Sequence, residues 1–262
     1  MREYDDLLRL AREVAREAAA LVRTRAEGGV HVAATKSSPV DIVTEVDRAA
    51  EALIQDRLLQ ARPGDGFLGE EGGASSSASG VTWVVDPIDG TVNFLYGIPQ
   101  YSVSIAASVD DQVVAGVVVD VAHGETFTAT LGGGATCDGV PLRVRAAAPV
   151  SERLVITGFN YRREVRLRQA AAVAALLPQV RDIRRLGSAA LDLCAIGAGR
   201  ADGYVEEGLF AWDRAAGALV ATEAGARVAT RTGAGGTDCV VCAPADGFEE
   251  FLALVEGCGF LG

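Results

Sequence analysis

The spacing of apolar residues changes along the chain, and each pattern predicts a different kind of structure. Near the N-terminus, apolar residues recur every three or four positions, which predicts an amphipathic helix over residues 4–26 and a second helix at about 44–61. Between residues 101 and 145, β-rich runs separated by short polar or glycine segments predict an antiparallel meander. From about residue 152 onward, strand-like and helix-like segments alternate, which predicts a mixed sheet covered by helices.

The predicted segments fill most of the chain. In the first half, strands are expected at 67–69, 81–85, 101–109, 112–121 and 125–131. In the second half, strands are expected at 154–157, 180–184, 202–205, 227–229 and 239–242, and helices at 163–177, from Gly187-Ser188 through 198, at 212–224 and at 248–255. No repeat or interdomain linker is evident, so residues 1–262 are expected to form one body with halves at 1–145 and 146–262.

The stretch from Trp83 to Thr91 combines two kinds of chemistry. A β-branched strand ends abruptly in Asp86 and Asp89, and Gly90 and Thr91 can then open a helix. Carboxylates attract divalent cations, and the N–H groups of a helix N-terminus attract phosphate. The stretch therefore predicts a metal-assisted phosphoryl site. An ordinary turn is the alternative, because Asp-Pro and Asp-Gly are common in turns.

Further acidic residues end a predicted strand or begin a predicted helix. Asp47 has the spacing of a capping box with Thr44, Glu70 and Glu71 follow a short strand, and Asp213 begins a late helix. Strand ends and helix starts in layered α/β folds converge on one edge, where clustered acids repel one another unless cations are bound. Two or three magnesium ions meet this need, because hard cations prefer oxygen ligands. Taken singly, each acid also fits an ordinary cap or turn.

Composition narrows the classes of protein. With 262 residues, 49% of them apolar, the chain can bury a large core without disulfides. Its net charge of −11 argues against non-specific binding to nucleic acid or to anionic membranes. The charged N-terminus lacks the apolar core of a signal peptide, and no apolar run reaches the roughly 18 residues needed to span a bilayer. We therefore expect a cytoplasmic protein with no nucleic-acid or membrane partner.

Motifs that would indicate other chemistry are absent or incomplete. Five cysteines, an odd number, are typical of a reducing compartment. Cys239 and Cys242 form a C-x-x-C pair, but they lie in a predicted strand, where residues three apart point to opposite faces, so we interpret them as buried structural residues. His31 and His123 have no neighbouring nucleophile motif, and neither a P-loop nor a G-x-G-x-x-G sequence occurs.

Taken in order, the acidic motifs resemble those of the inositol monophosphatase family. The matching motifs are Asp47, Glu70-Glu71, Asp86-Pro87-Ile88-Asp89-Gly90-Thr91 and Trp212-Asp213-Arg214-Ala215-Ala216, with support from Thr35-Lys36-Ser37-Ser38, Asn93-Phe94, Gly187-Ser188-Ala189-Ala190 and Thr222-Glu223-Ala224-Gly225. The resemblance implies an α+β or α/β fold, a layered α-β-α-β-α sandwich in which an antiparallel meander sheet is followed by a mixed sheet. It also implies a homodimer.

The resemblance further implies a set of metal ligands. One magnesium ion would bind Glu70, Asp86 and the main-chain carbonyl of Ile88. A second ion would bind Asp86, Asp89 and Asp213, and a weaker third ion would lie near Glu70. Most of these ligands fall in the first half of the chain, which is therefore expected to be its metal-binding half.

Catalytic and substrate-binding roles follow from the same resemblance. Glu70 and Thr91 would orient and deprotonate the attacking water, with Asp47 accepting a hydrogen bond from Thr91. The amides of Gly90 and Thr91 would hold phosphate oxygens. The residues expected to contact the hydroxyl groups of the substrate are Asp89, Ser188, Ala189, Glu206 and Asp213.

The predicted activity is magnesium-dependent hydrolysis of a small polyol or sugar phosphate, with inositol 1-phosphate as the first candidate. The same scaffold also serves fructose 1,6-bisphosphate, histidinol phosphate and 3′-phosphoadenosine 5′-phosphate. Tyr96, Gly97-Ile98-Pro99-Gln100 and Phe210 depart from the family pattern near the substrate and dimer regions, so the substrate stays open. A non-catalytic regulatory module is the alternative from another class, but every acid of the site is present, which favours catalysis.

Overall fold

Helical layers and two sheets alternate through the molecule. The computed structural model describes residues 4–27, 32–35 and 42–262. From one side to the other, the layers are two helices, an eight-stranded sheet, two further helices, a five-stranded sheet and a last pair of helices. The predicted α-β-α-β-α sandwich is confirmed.

Helices and strands account for most of the described chain. The helices are α1 (Asp5–Glu27), α2 (Glu45–Ala61), α3 (Thr91–Tyr96), α4 (Arg163–Leu176), α5 (Ala189–Gly197), α6 (Ala211–Glu223) and α7 (Phe248–Gly257). The strands are β1 (Val32–Thr35), β2 (Ile42–Thr44), β3 (Gly66–Gly69), β4 (Ala74–Ser75), β5 (Val81–Asp89), β6 (Ser102–Val109), β7 (Gln112–Asp120), β8 (Thr126–Thr130), β9 (Gly134–Cys137), β10 (Val140–Pro141), β11 (Leu154–Thr157), β12 (Asp182–Arg184), β13 (Gly203–Glu207), β14 (Ala226–Thr232) and β15 (Asp238–Pro244). None of the described helices has the length and apolar character needed to cross a membrane.

The two large sheets differ in how their strands run. The eight-stranded sheet has the order β10-β9-β8-β7-β6-β5-β3-β4. It is antiparallel from β5 to β10, as the meander pattern predicts, whereas β3 runs parallel to β5. The five-stranded sheet, β12-β11-β13-β15-β14, is mixed: β11 is parallel to β12 and β13, and β15 is antiparallel to β13 and β14.

The central helices α5 and α6 contribute apolar side chains to both sheets. Leu191 and Val220 belong to the core shared with the eight-stranded sheet, whereas Leu193 and Ala221 belong to the core shared with the five-stranded sheet. Helices α1 and α2 cover the outer face of the larger sheet, and α4 and α7 cover that of the smaller one. This arrangement explains why α5 is apolar on nearly every face.

Some boundaries differ from the predictions. The strand predicted at 81–85 continues through Asp89, because a bulge keeps it paired with β6. Strands β9 and β10 were not predicted, since both are short and the first begins in a run of glycines. Strand β14 is longer than the predicted 227–229. Its C-terminal part is polar and exposed at the edge of the sheet, so it lacks the apolar pattern from which a strand is predicted.

Cys239 and Cys242 lie on opposite faces of β15, as predicted. Both are fully buried, Cys239 in the core beside α4 and α7 and Cys242 in the core beside α5 and α6. Burial raises the pKa of the Cys239 thiol to about 12 and also raises that of Cys242. Since all five cysteines are free thiols, neither a disulfide nor a C-x-x-C redox pair forms in this fold.

Gly217 of α6 packs directly on α5, and we expect even a methyl group there to destabilise the fold. A β-carbon at this position would lie 2.8 Å from the carbonyl oxygen of Ala190 and 3.0 Å from Cβ of Leu193. Gly217→Ala should therefore lower the free energy of unfolding by about 1–3 kcal/mol, although the same change in an exposed helix raises it by about 1 kcal/mol. Urea denaturation measures the difference, and a variant as stable as the wild type would contradict this packing.

Candidate active site

A bulge at the end of β5 turns two aspartates toward one cluster. Asp86 pairs with Ser104 and Asp89 with Ser102, so three steps along β5 match two steps along β6. In a regular strand, residues three apart point to opposite faces, but the extra residue of a bulge shifts that alternation by one. Pro87 lies inside the bulge, where its missing N–H is tolerated.

Asp213 joins the cluster from a distant part of the chain. It is the third residue of α6, and its Oδ2 accepts the N–H of Phe210 at 2.6 Å, which anchors it to the start of that helix. One carboxylate oxygen from each of Asp86, Asp89 and Asp213 lies within 4.8 Å of the others. Asp86 is 1% exposed and Asp89 8% exposed, while Asp213 is half-buried. The N–H of Ile88 donates to Oδ1 of Asp86 at 3.0 Å and fixes the turn between the two strand-end acids.

Glu70 reaches the same edge from the neighbouring strand. Gly69 at the end of β3 pairs with Val85 of β5, and the N–H of Glu70 donates to the carbonyl of Val85 at 3.2 Å. The negative charge of Glu70 contributes to the raised pKa of both Asp86 and Asp213. Two parallel strand ends and one helix start thus bring these acids together at one edge, as expected from the topology.

Burial and mutual repulsion make the ionised cluster unfavourable without a cation. Burial raises the pKa of Asp86 well above its usual range, and the charges of its three acidic neighbours raise it further. The same two effects raise the pKa of Asp213. Burial also raises the pKa of Asp89 to about 6, although hydrogen bonds partly offset the effect. A hard divalent cation fits this donor set, because it binds several carboxylate oxygens at once and removes their repulsion.

Asp47 connects the start of α2 with Thr91. Asp47 is fully buried, and its Oδ2 accepts the N–H of Thr44 at 2.9 Å and contacts the Thr44 hydroxyl, so the predicted capping box is present. Its other oxygen, Oδ1, lies 3.1 Å from the hydroxyl of Thr91, which also lies 3.0 Å from the carbonyl of Ile88. Burial raises the pKa of Asp47 to about 6, while the hydrogen bonds from Thr44 lower it.

Gly90 lets the chain pass directly from the acids into α3. Its φ is 98°, in the left-handed region that favours glycine. A β-carbon at this position would also lie 2.9 Å from the carbonyl oxygen of Gln100. Gly90 and Thr91 therefore begin the helix immediately after Asp89, where their N–H groups are expected to face phosphate.

Ser188 and the start of α5 hold Asp89 from the other side. The Ser188 hydroxyl donates to Oδ2 of Asp89 at 2.6 Å, and the N–H of Ala190 donates to the same oxygen at 2.7 Å. Ser188 is fully buried and Ala189 is 6% exposed. The Ser188 side chain therefore orients Asp89 in this structure, and contact of Ser188 and Ala189 with a substrate stays a prediction.

Glu206 lies beside the cluster together with charged residues absent from the sequence predictions. Its Oε2 accepts the hydroxyl of Tyr204 at 2.8 Å, and its charge helps to raise the pKa of Asp89. Asp192 of α5 is fully buried, and burial together with the charge of Glu206 raises its pKa. Burial also raises the pKa of Glu206, and the positive charge of Arg185 partly offsets both shifts. Asp192 could have been recognised from the sequence as an unusual buried charge, since it is the one charged residue in an otherwise apolar helical run.

Comparison with known proteins agrees with this fold. The sequence profile of the inositol monophosphatase family matches residues 3–257. The chain is 48% identical to the protein named inositol-1-monophosphatase SuhB of Mycobacterium tuberculosis, over 94% of this chain and 92% of that protein. It is 37% identical to the Nus factor SuhB of Haemophilus influenzae, over 96% of both chains. The solved structure of Mycobacterium tuberculosis SuhB superposes with a TM-score of 0.85, at 44% identity and over 100% of both chains.

The layered fold and the clustered acids are those of a phosphatase. The chain belongs to the inositol monophosphatase family, whose members are generally metal-dependent. Of the motif Thr35-Lys36-Ser37-Ser38, which formed part of the resemblance, the last three residues lie outside the described part of the chain, as does His31.

The raised pKa of Asp89 predicts a pH-dependent loss of stability in the metal-free protein. Since an unfolded aspartate titrates near about 3.9 and Asp89 near about 6 in the fold, the fold loses stability as the pH rises through this window. The asparagine of Asp89→Asn cannot ionise. The free energy of unfolding of this variant minus that of the wild type should therefore rise by about 3 kcal/mol between pH 4 and 6 and then level off. Urea denaturation of demetallated protein measures this, and a difference independent of pH would contradict the shift.

Proposed function

We propose that the protein hydrolyses a small polyol or sugar phosphate monoester in a magnesium-dependent reaction, with inositol 1-phosphate as the preferred substrate. The observation that carries the proposal is the approach of three carboxylate oxygens, from Asp86, Asp89 and Asp213, to within 4.8 Å of one another. The names of the mycobacterial relatives support the choice of inositol 1-phosphate. Every residue of the expected metal and water site within the described chain is present.

The acids of this cluster would hold the magnesium ions. Glu70, Asp86 and the carbonyl of Ile88 would supply oxygens for one ion, and Asp86, Asp89 and Asp213 would supply them for a second. A third ion near Glu70 belongs to the same proposal. When bound, magnesium supplies Lewis-acid polarisation of the phosphate and acidifies a bound water.

Thr91 and Asp47 would handle the proton of the attacking water. Because the Thr91 hydroxyl donates toward Oδ1 of Asp47 at 3.1 Å, its oxygen lone pairs are available to accept from a water molecule. With a pKa of about 6, Asp47 is ionised at neutral pH and can act as that acceptor. Glu70 orients the same water, and the N–H groups of Gly90 and Thr91 hold phosphate oxygens at the start of α3.

The alcohol side of the substrate would lie against Asp89, Glu206 and Asp213. Charged acceptors suit a ligand rich in hydroxyl groups, since a carboxylate accepts several hydrogen bonds. Ser188 and Ala189 would complete this side of the substrate site. Ser188 would contribute by orienting Asp89, to which it donates a 2.6 Å hydrogen bond. Fructose 1,6-bisphosphate, histidinol phosphate and phosphoadenosine phosphate are the competing substrates of the scaffold.

We also infer that residues 1–145 and 146–262 work as one unit, and this rests on the composition of the site. Asp86 and Asp89 come from the first half and Asp213 from the second. A second role, binding to the transcription machinery, is supported only by the name Nus factor SuhB, which the relatives from Haemophilus influenzae, Pasteurella multocida and Escherichia coli share. The intact acid cluster supports catalysis as the primary function.

Phosphate release from the four candidate substrates tests the proposal. Inositol 1-phosphate should give the highest kcat/KM, and activity should vanish when magnesium is removed. Asp86→Asn and Asp213→Asn should lower kcat by about 100-fold or more, because each removes a metal ligand.

Asp56→Asn is the matched control for these two variants. Asp56 lies exposed on α2, outside the cluster, so this variant should keep the wild-type rate and magnesium dependence. Wild-type rates in Asp86→Asn or Asp213→Asn would show that the metal assignment is wrong.

The hydroxyl of Thr91 is expected to be essential, whereas its methyl group is not. Thr91→Val keeps the shape but removes the donor to Asp47, and should lower kcat by about 100-fold with little change in KM. Thr91→Ser keeps the hydroxyl and should retain activity within about tenfold of the wild type. Steady-state kinetics at saturating magnesium distinguish the two, and equal rates for both variants would exclude this role.

A further inference from the structure

Glu51 of α2 forms hydrogen bonds with the backbone of the loop that carries Glu70. Its side chain is 6% exposed, and its two carboxylate oxygens accept backbone N–H groups of that loop. Oε2 accepts the N–H of Glu71 at 2.7 Å, and Oε1 accepts the N–H of Gly73 at 2.9 Å. A buried glutamate is costly unless it is hydrogen-bonded, so both contacts are needed to keep it in place.

The backbone around Glu51 is shaped to receive a carboxylate. A β-carbon on Gly69 would lie 2.3 Å from Oε2 of Glu51, and one on Gly73 would lie 2.9 Å from Oε1. The N–H of Gly69 also donates to the carbonyl of Gly73 at 2.7 Å, which closes the loop on itself. Both glycines are therefore explained by the close approach of the Glu51 carboxylate and the Phe67 ring to the backbone.

The loop 70–73 that Glu51 holds is directly connected to the acid cluster. Glu70 lies between Gly69 and Glu71, and its N–H donates to Val85 of β5 at 3.2 Å. Its charge acts on Asp86. A shift of this loop would therefore move the Glu70 carboxylate relative to Asp86, while Asp86 itself is fixed by the bulge of β5.

Helix α2 sets two parts of the site at once. Asp47 and Glu51 are four residues apart, so they lie on one face of the helix, one turn from each other. Asp47 contacts Thr91, and Glu51 holds the segment that contains Glu70. One rigid element thus fixes the spacing between a proton-handling residue and a metal ligand.

We propose that Glu51 is a positioning residue for metal binding, which holds the loop 70–73 so that the Glu70 carboxylate stays beside Asp86. The inference rests on the proposed function, since it requires that the acid cluster bind a divalent cation. It assigns Glu51 no contact with metal or substrate.

The proposal can be tested by titrating the full chain with Mn²⁺ and measuring the free ion by electron paramagnetic resonance. This measurement does not require catalytic activity. Glu51→Gln keeps the size of the side chain but replaces one accepting oxygen with an amide donor, which faces a backbone N–H. Its Mn²⁺ affinity should fall by about tenfold, as for residues that support metal ligands from behind. Magnesium for half-maximal activity should rise by a similar factor, while kcat at saturating magnesium stays near the wild-type value.

Two control variants separate positioning from simpler effects. Glu223→Gln changes a glutamate of α6 that also accepts two backbone N–H groups, those of Gly132 and Gly134 at 2.8 Å each, and should leave Mn²⁺ affinity unchanged. Glu71→Gln removes a negative charge next to Glu70 but keeps the hydrogen bonds of Glu51 to the loop. It should lower the Mn²⁺ affinity much less than Glu51→Gln does. Equal losses in Glu71→Gln and Glu51→Gln would overturn the proposal, because charge alone would then explain both.

Amide hydrogen exchange supplies the structural readout. In Glu51→Gln, the amides of Glu71 and Gly73 should exchange faster, while those of Gly132 and Gly134 stay protected. If Glu51→Gln does not fold, Glu51→Asp serves instead, because it keeps the charge but is too short to accept both N–H groups, and it should lower Mn²⁺ affinity in the same way. A folded variant of either kind with wild-type affinity would refute the inference, whereas a wild type that neither binds Mn²⁺ nor releases phosphate would refute the proposed function itself.

Discussion

Repulsion among buried carboxylates is the constraint on which the rest of this structure depends. Asp86, Asp89 and Asp213 bring oxygens within 4.8 Å of one another, and the first two side chains are buried while Asp213 is half-buried. Burial raises the pKa of each of these acids, and repulsion among the acids of the cluster raises the pKa of Asp86 and Asp213 further. The fold sustains it through hydrogen bonds and packing around the acids, and a bound cation would turn the same repulsion into affinity.

Three elements, β5, α5 and α6, hold the acids of the cluster in place. A bulge in β5 orients Asp86 and Asp89, the first turn of α6 presents Asp213, and the N-terminus of α5 fixes Asp89 through Ser188. Because α5 and α6 are packed between the two sheets, movement of the ligands would disturb both cores. Close packing thus serves the site, as the contact of Gly217 with α5 illustrates.

Much of this arrangement could be predicted from the sequence, and the exceptions have physical causes. Strand and helix periods indicated a meander followed by a mixed sheet covered by helices, and acids at strand ends pointed to a shared edge. The α-β-α-β-α order of the layers was implied by the resemblance to the inositol monophosphatase family. The spacing of Asp86 and Asp89 alone places them on opposite faces of a regular strand, so their convergence depends on a bulge that no local pattern reveals.

Residues that act from a distance were harder to find. Glu51 looks like one more charge on an amphipathic helix, because its partners are backbone groups 20 and 22 residues away. Strand β9 escaped notice because its pairing with β8, not its own residues, makes it a strand. The orienting role of Ser188 likewise depends on a tertiary contact with Asp89, and the raised pKa of Asp192 depends on burial and on the charge of Glu206.

Anomalous diffraction from crystals soaked in Mn²⁺ tests the metal site most directly, since manganese accepts the same oxygen ligands as magnesium and its position can be located without reference to activity. We expect anomalous peaks between the carboxylates of Asp86, Asp89 and Asp213, with Glu70 and the carbonyl of Ile88 ligating a neighbouring ion. An absence of anomalous density among these acids at saturating Mn²⁺ would contradict the metal assignment.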